Sequence, residues 1–121
     1  QEDFGVFRTG EVMASGVKKL EAIRERLAHA AIKDHSQVFN TGRVEALELD
    51  NLMATAMASA YAADFRTESR GAHSREDFPK RDDGAWLKHS IYLLEGHQMV
   101  TRAVNMKPLT VPTFEPKERV Y

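Results

Sequence analysis

Apolar residues fall at helical spacing through the first third of the chain. Met13, Val17, Leu20, Ile23 or Arg24, Leu27 and Ala31 recur every three or four positions, and Lys18, Lys19, Glu21, Glu25 and Arg26 fall mostly on the other side. That periodicity predicts an amphipathic helix over about Glu11–Ile32, with Thr9 as N-cap and Glu11 in the first turn, where the dipole favours an anion. Upstream, Phe4 and Phe7 share a side and suit the tail of an earlier helix, and Lys33–Gln37 reads as a polar connection. A second helix begins at Asn40 or Thr41 and carries Val44, Leu47, Leu49, Leu52, Ala56, Ala60 and Ala63 in rhythm. Glu45, Glu48 and Asp50 crowd its first half and Arg66 and Arg70 lie at its end, both placements suiting the macrodipole. Its second half, LMATAMASAYAA, is apolar nearly all round, so burial on more than one side is expected. Such a helix is roughly 35–40 Å long, and one partner helix cannot surround it.

The period then changes. From Trp86 to Leu94, Leu87, His89, Ile91 and Leu93 alternate with Trp86, Lys88, Ser90 and Tyr92, which predicts a strand with Trp86 and Tyr92 on one face. Glu95-Gly96-His97 reads as a turn and Met99–Met106 as the returning strand. A lone hairpin is marginal in water, so this one must pack on the helices or on a partner. Beyond Lys107, Pro108, Pro112 and Pro116 predict an extended, polyproline-like tail laid over a surface. The expected divisions are 1–70 helical, 71–85 a charged loop, 86–106 the hairpin and 107–121 the tail, all within one domain of 121 residues.

Composition narrows the functional classes. Charged residues are 29% and hydrophobic residues 42%, the balance of a folded globule. A net charge of −1 gives no footprint for nucleic acid, and the lack of cysteine removes disulfides and thiolate metal sites. No apolar run reaches membrane-spanning length. The start, Gln1-Glu2-Asp3, has no initiator Met and no signal-peptide pattern, and reads as a cut edge of a longer protein.

Candidate chemistry concentrates in FRTESRGAHSREDFPKRDD, Phe65–Asp83. Gly71 offers the backbone freedom to leave the helix and Pro79 keeps it from resuming. Locally the stretch reads as a solvated loop whose alternating arginines and carboxylates form ion pairs instead of a raised carboxyl pKa. No GxGxxG, phosphate loop, HExxH or nucleophile elbow occurs. His29, His35, His73, His89 and His97 lack the i, i+4 pairing of a helical zinc site and are expected to be exposed or hydrogen-bonded. Met53, Met57 and Tyr61, one turn apart, read as a core stripe. No catalytic or metal-ligating residue is assigned.

The order VEALELDNLM, ESRGAHSREDFPKRDD, WLKHS and a terminal RVY resembles the C-terminal domain of the succinate dehydrogenase flavoprotein subunit, from about residue 4 to the end. ESRGAH-x-R-x-D is shared with fumarate reductase and, more loosely, with L-aspartate oxidase. The resemblance implies a mainly α fold, a three-helix, spectrin-repeat-like bundle with a C-terminal β-hairpin and an extended proline-containing tail. It implies a parent that holds FAD covalently, oxidises succinate to fumarate and passes electrons to an iron–sulfur subunit and quinone. The partners implied are the flavin-binding domain of the same subunit, the iron–sulfur subunit, membrane-anchor subunits indirectly, and a flavinylation assembly factor. The implied place is the cytoplasmic face of a bacterial inner membrane or the mitochondrial matrix side. The flavin cradle lies upstream, so this chain alone is expected to bind no FAD and to be inactive. Arg70 and Arg119 match arginines that the family links to covalent flavin attachment, acting by charge or by locking this domain against the flavin domain. The alternatives are the same domain of fumarate reductase or L-aspartate oxidase and, from another class, a free-standing helical interaction module.

Overall fold

A computed structural model describes residues 2–117. Helices dominate: α1 (Gly10–Leu27), α2 (Thr41–Phe65) and a single turn, α3 (Asp83–Trp86). A two-stranded antiparallel hairpin follows, β1 (Lys88–Leu93) and β2 (Gln98–Ala103), in register from Lys88 opposite Ala103 to Leu93 opposite Gln98. Three helices and a hairpin are present as expected; two of the helices are long and pack together, and the third is one turn long.

Helix α1 starts where expected, with Thr9 Oγ1 accepting the Val12 N–H at 3.4 Å. It stops at Leu27, short of the Ile32 that periodicity suggested, closed by tight bonds from His29 N–H to Arg26 O and Ala30 N–H to Leu27 O. Past that point alanines offer little area to bury, and Ile32 is exposed. Asn40 caps α2 by accepting the Arg43 N–H at 2.8 Å, while its amide donates back to Asp34 O and Ser36 O. No acid occupies the first turn of α2 and no base its last, so the dipole pairing read from the sequence is replaced by this cap. Residues 2–7 form turns, not the end of a helix, and Phe4 lies against Gly16, where an added Cβ would come within 2.5 Å of its ring.

Met13, Gly16 and Val17 of α1 and Met53, Met57 and Ala60 of α2 are the buried residues of the two long helices. Met53 and Met57 join the core as expected. Tyr61 continues the stripe to a different end: its ring faces Tyr92 and His97, with centroids 5.6 and 5.8 Å away, and its hydroxyl donates to Glu21. That bond, with some burial, pushes the Tyr61 phenol up to about 12. The hairpin thereby rests on α2 through β1, as a marginal two-stranded element must. At its tip Gly96 and His97 both take positive φ, and the His97 ring is held by Tyr92 and Arg24.

Two boundaries differ from the alternating pattern. β1 begins at Lys88, because Trp86 belongs to α3, where Asp82 accepts the Ala85 N–H. Trp86 and Tyr92 therefore do not share a strand face: Trp86 meets Phe65 edge-on at 5.4 Å, and Tyr92 meets Tyr61. β2 ends at Ala103, before Met106.

Candidate functional site

The charged stretch after α2 is only partly the solvated loop that its composition suggested. Glu68 is fully buried and Arg75 nearly so, at 0% and 3% exposure. Gly71 takes φ +59° in a two-residue turn closed by paired bonds between Arg70 and His73, at 2.8 and 3.0 Å. That turn reverses the chain and brings Arg70 back beside Glu68.

Glu68 is the hub. Its carboxylate accepts Arg70 Nε at 2.7 Å and Nη2 at 3.0 Å, the Asp82 N–H at 2.9 Å, and Arg66 Nη1. Burial alone would push its pKa up, but the bonds from Arg70, Asp82 and Arg66 outweigh it and hold the carboxyl below its usual range. Arg70 Nη2 also reaches Asp83 Oδ1 at 2.7 Å, and Arg81 reaches Asp83 Oδ2 at 2.9 Å. Both guanidinium groups hold Asp83 low, and the bond to Glu68 raises Arg70. Arg66 closes the far side by donating to Trp86 O and Lys88 O while lying 5.0 Å over the Trp86 ring. One buried carboxylate thus ties the exit of α2 to α3 and the start of β1.

A second clamp joins the loop to α1. Arg75 grips Asp77 with two bonds, at 2.9 and 2.5 Å, and donates to Asp64 O and Arg66 O. Asp77 in turn accepts the Gly10 N–H at 2.8 Å, and the Glu76 N–H donates to Arg8 O at 2.8 Å. Arg75 and the Gly10 amide hold Asp77 far below the ordinary carboxylate range. The expected ion pairing is therefore present, and Glu68, Asp77 and Asp83 all stay ionised where a general acid would need the reverse.

Arg70 sits at the centre of the network, whereas Arg119 lies outside the described residues. Sequence reasoning did not find Arg8, which meets His73 across 65 positions, its Nη1 3.2 Å from the ring Nδ1. No local pattern announces a contact between residues so far apart. His73 is the hydrogen-bonded histidine expected; His29, His35 and His89 are exposed. Among the described residues no group of three or more His, Asp or Glu could hold a metal ion, and no helix is long and apolar enough to cross a membrane.

The crowded glycines leave no open backbone for FAD to approach. The two crowded glycines, Gly10 and Gly16, are packed by this chain's own Arg75 and Phe4, and Gly71 faces nothing within 4 Å. What the chain can turn toward a group held elsewhere is the outer edge of Arg70, whose Nη1 bonds to nothing among the described residues.

Comparison with known proteins gives the network a context. The family model described as "Fumarate reductase flavoprotein C-term" matches residues 1–121. The succinate dehydrogenase flavoprotein subunit of Coxiella burnetii is 52% identical over 118 residues, covering 98% of this chain and 20% of its own length. The fumarate reductase flavoprotein subunit of Mycobacterium tuberculosis is 39% identical over 117 residues, covering 97% and 20%. A variant of Escherichia coli quinol fumarate reductase superposes with a TM-score of 0.79 at 34% identity, over 94% of this chain and 20% of that one. The chain spans about a fifth of the length of the relatives it matches. With the fold and the whole sequence agreeing, the chain belongs to the succinate dehydrogenase/fumarate reductase flavoprotein family, as its C-terminal domain.

Proposed function

We propose that this domain braces the flavin-carrying body of a succinate dehydrogenase flavoprotein and supports covalent flavin attachment by position, not by a free charge. The parent would oxidise succinate to fumarate and hand the electrons to an iron–sulfur subunit and on to quinone, with membrane-anchor subunits reached indirectly. It would do so at the cytoplasmic face of a bacterial membrane or on the matrix side of a mitochondrial one. The higher identity to the Coxiella succinate dehydrogenase subunit than to the fumarate reductases supports that branch.

The observation that carries the reading is the Glu68 hub. Arg70 is bonded to two carboxylates, Glu68 and Asp83, so its charge is balanced locally and its field falls off quickly with distance. Its planar fork, in contrast, fixes one orientation through two parallel bonds. Bound FAD would supply the redox chemistry; this chain's share is to hold the exit of α2 and α3 as one rigid face against the flavin-binding domain. Arg119, outside the described residues, is proposed to support flavin attachment by its family match alone. The domain alone is proposed to be inactive.

The test is Arg70→Lys in the intact subunit, which keeps the charge and loses the fork. The expected result is a lower unfolding temperature, with covalent flavin per folded subunit retained or falling only alongside stability. Loss of covalent flavin with unchanged stability would overturn the bracing role in favour of a charge role.

A further inference from the structure

We propose that the shallow, open depression between the N-terminal segment, α2, the charged loop and β1 is a receptor for a carboxylate group. Its volume is about 350 Å³, and its walls are Arg8, Ser59, Ala62, Ala63, Arg66, His73 and Ser90. Two guanidinium groups and two hydroxyls face it, and no acid lines it.

Arg66 has its counter-charge in Glu68, behind the wall, and the remaining wall groups leave donors facing the opening. Arg66 is committed to Glu68, to Trp86 O and Lys88 O, and through Nε to Ser90 Oγ at 3.4 Å. Ser90 therefore accepts from Arg66, and its own hydrogen is free to point into the depression. Arg8 spends Nε on Gly5 O at 2.6 Å and Nη1 on His73 Nδ1, leaving Nη2 uncommitted among the described residues. A guanidinium only donates, so His73 Nδ1 must be an acceptor and its proton sits on Nε2, which faces Arg66 O at 3.4 Å. Burial first, and then Arg8, Arg75 and Arg66 around it, lower the His73 pKa against the opposing bond to Arg66 O. Ser59 makes no hydrogen bond among the described residues. Arg8 thus has no carboxylate partner among them, unlike Arg66, Arg70, Arg75 and Arg81.

Three free donors and an unbalanced cation around one opening match an oxygen anion of carboxylate type, with Arg8 giving charge and the serines direction. That carboxylate comes either from a side chain elsewhere in the parent subunit or from a free small acid. The experiment separates the two. The intact subunit is compared with Ser59→Ala and Arg8→Gln by thermal unfolding, with sodium acetate titrated against sodium chloride at matched ionic strength. Alanine is the better helix former, so Ser59→Ala is neutral or slightly stabilising if nothing is bound there. Bound carboxylate instead makes it lower the unfolding temperature by about 2 °C. If the carboxylate belongs to the subunit, that loss appears without acetate and acetate changes nothing. If it is a free acid, acetate raises the wild-type temperature to saturation, and Arg8→Gln abolishes the rise. Ser59→Ala matching wild type with and without acetate overturns the proposal, as does an acetate response that survives Arg8→Gln.

Discussion

At the scale of single residues, Glu68 carries more than any other side chain outside the core. A carboxylate at zero exposure is tolerated only because Arg66, Arg70 and the Asp82 N–H satisfy it. Removing its charge leaves Arg66 without its anion and Arg70 with Asp83 alone, and Glu68→Gln is expected to cost about 3 kcal/mol in chemical unfolding. The sign with pH follows from the depressed folded pKa. Stability from Glu68 is complete above the ordinary carboxylate range and is lost as pH falls through the lowered folded value. Unfolding curves collected downward from neutral pH should therefore fall more shallowly for Glu68→Gln than for wild type below pH about 4. Equal slopes would show that the hub contributes no proton-linked stability. Asp77 and Asp83 add to the same acid-side loss, since arginines hold both low.

At the scale of elements, α1 and α2 were legible because their apolar rhythm survives over many turns, and because Thr9 and Asn40 are short polar side chains at the right places. Their ends were less so. Ala28–Ala31 keep the spacing but lack the area, so the helix reading overran to Ile32. Trp86 alternates correctly with its neighbours yet joins α3, since the Asp82 cap overrides the two-residue period. The ion pairing of the Phe65–Asp83 stretch was legible from alternation. That Glu68 and Arg75 would be buried was not, because burial of a charge depends on partners folded in from Asp82, Asp64 and Gly10. One element-scale contact gives a sharp test. Gly16→Ala should gain helix propensity, about 1 kcal/mol in an exposed helix. The new Cβ would meet Asp3 Cβ at 2.6 Å and Phe4 Cε2 at 2.5 Å, so the N-terminal segment must lift away. The expected net result is a lower unfolding temperature and faster amide exchange in residues 3–8. A more stable Gly16→Ala protein would mean that segment gives way freely.

At the scale of the whole molecule, the surface is too large for the mass. A folded monomer of 13.7 kDa exposes about 6,600 Å² by the usual scaling, and this chain exposes 9771 Å². Part of the excess is the tail, where Leu109 and Phe114 are exposed, and part is the first half of α2, where Val44, Leu47 and Leu52 are more than half exposed. Such a face suits a domain that spans a fifth of its relatives' length. Purified alone, the 121-residue chain is expected to self-associate in a concentration-dependent way in sedimentation, and Leu47→Glu with Leu52→Glu should shift it toward monomer without loss of helix signal. A wild-type chain that stays monomeric at high concentration would show that this face is not sticky enough to need a cover. The bonds from Glu76 N–H to Arg8 O and from Gly10 N–H to Asp77 carry a consequence for synthesis. A ribosome releases residues 8–10 long before residues 75–77, so the first amide of α1, that of Gly10, and the Arg8 carbonyl wait on water until the whole of α2 has emerged. Translation stalled within α2 should therefore leave a nascent chain that a protease cuts near Arg8, and the cut should vanish once the second clamp is complete.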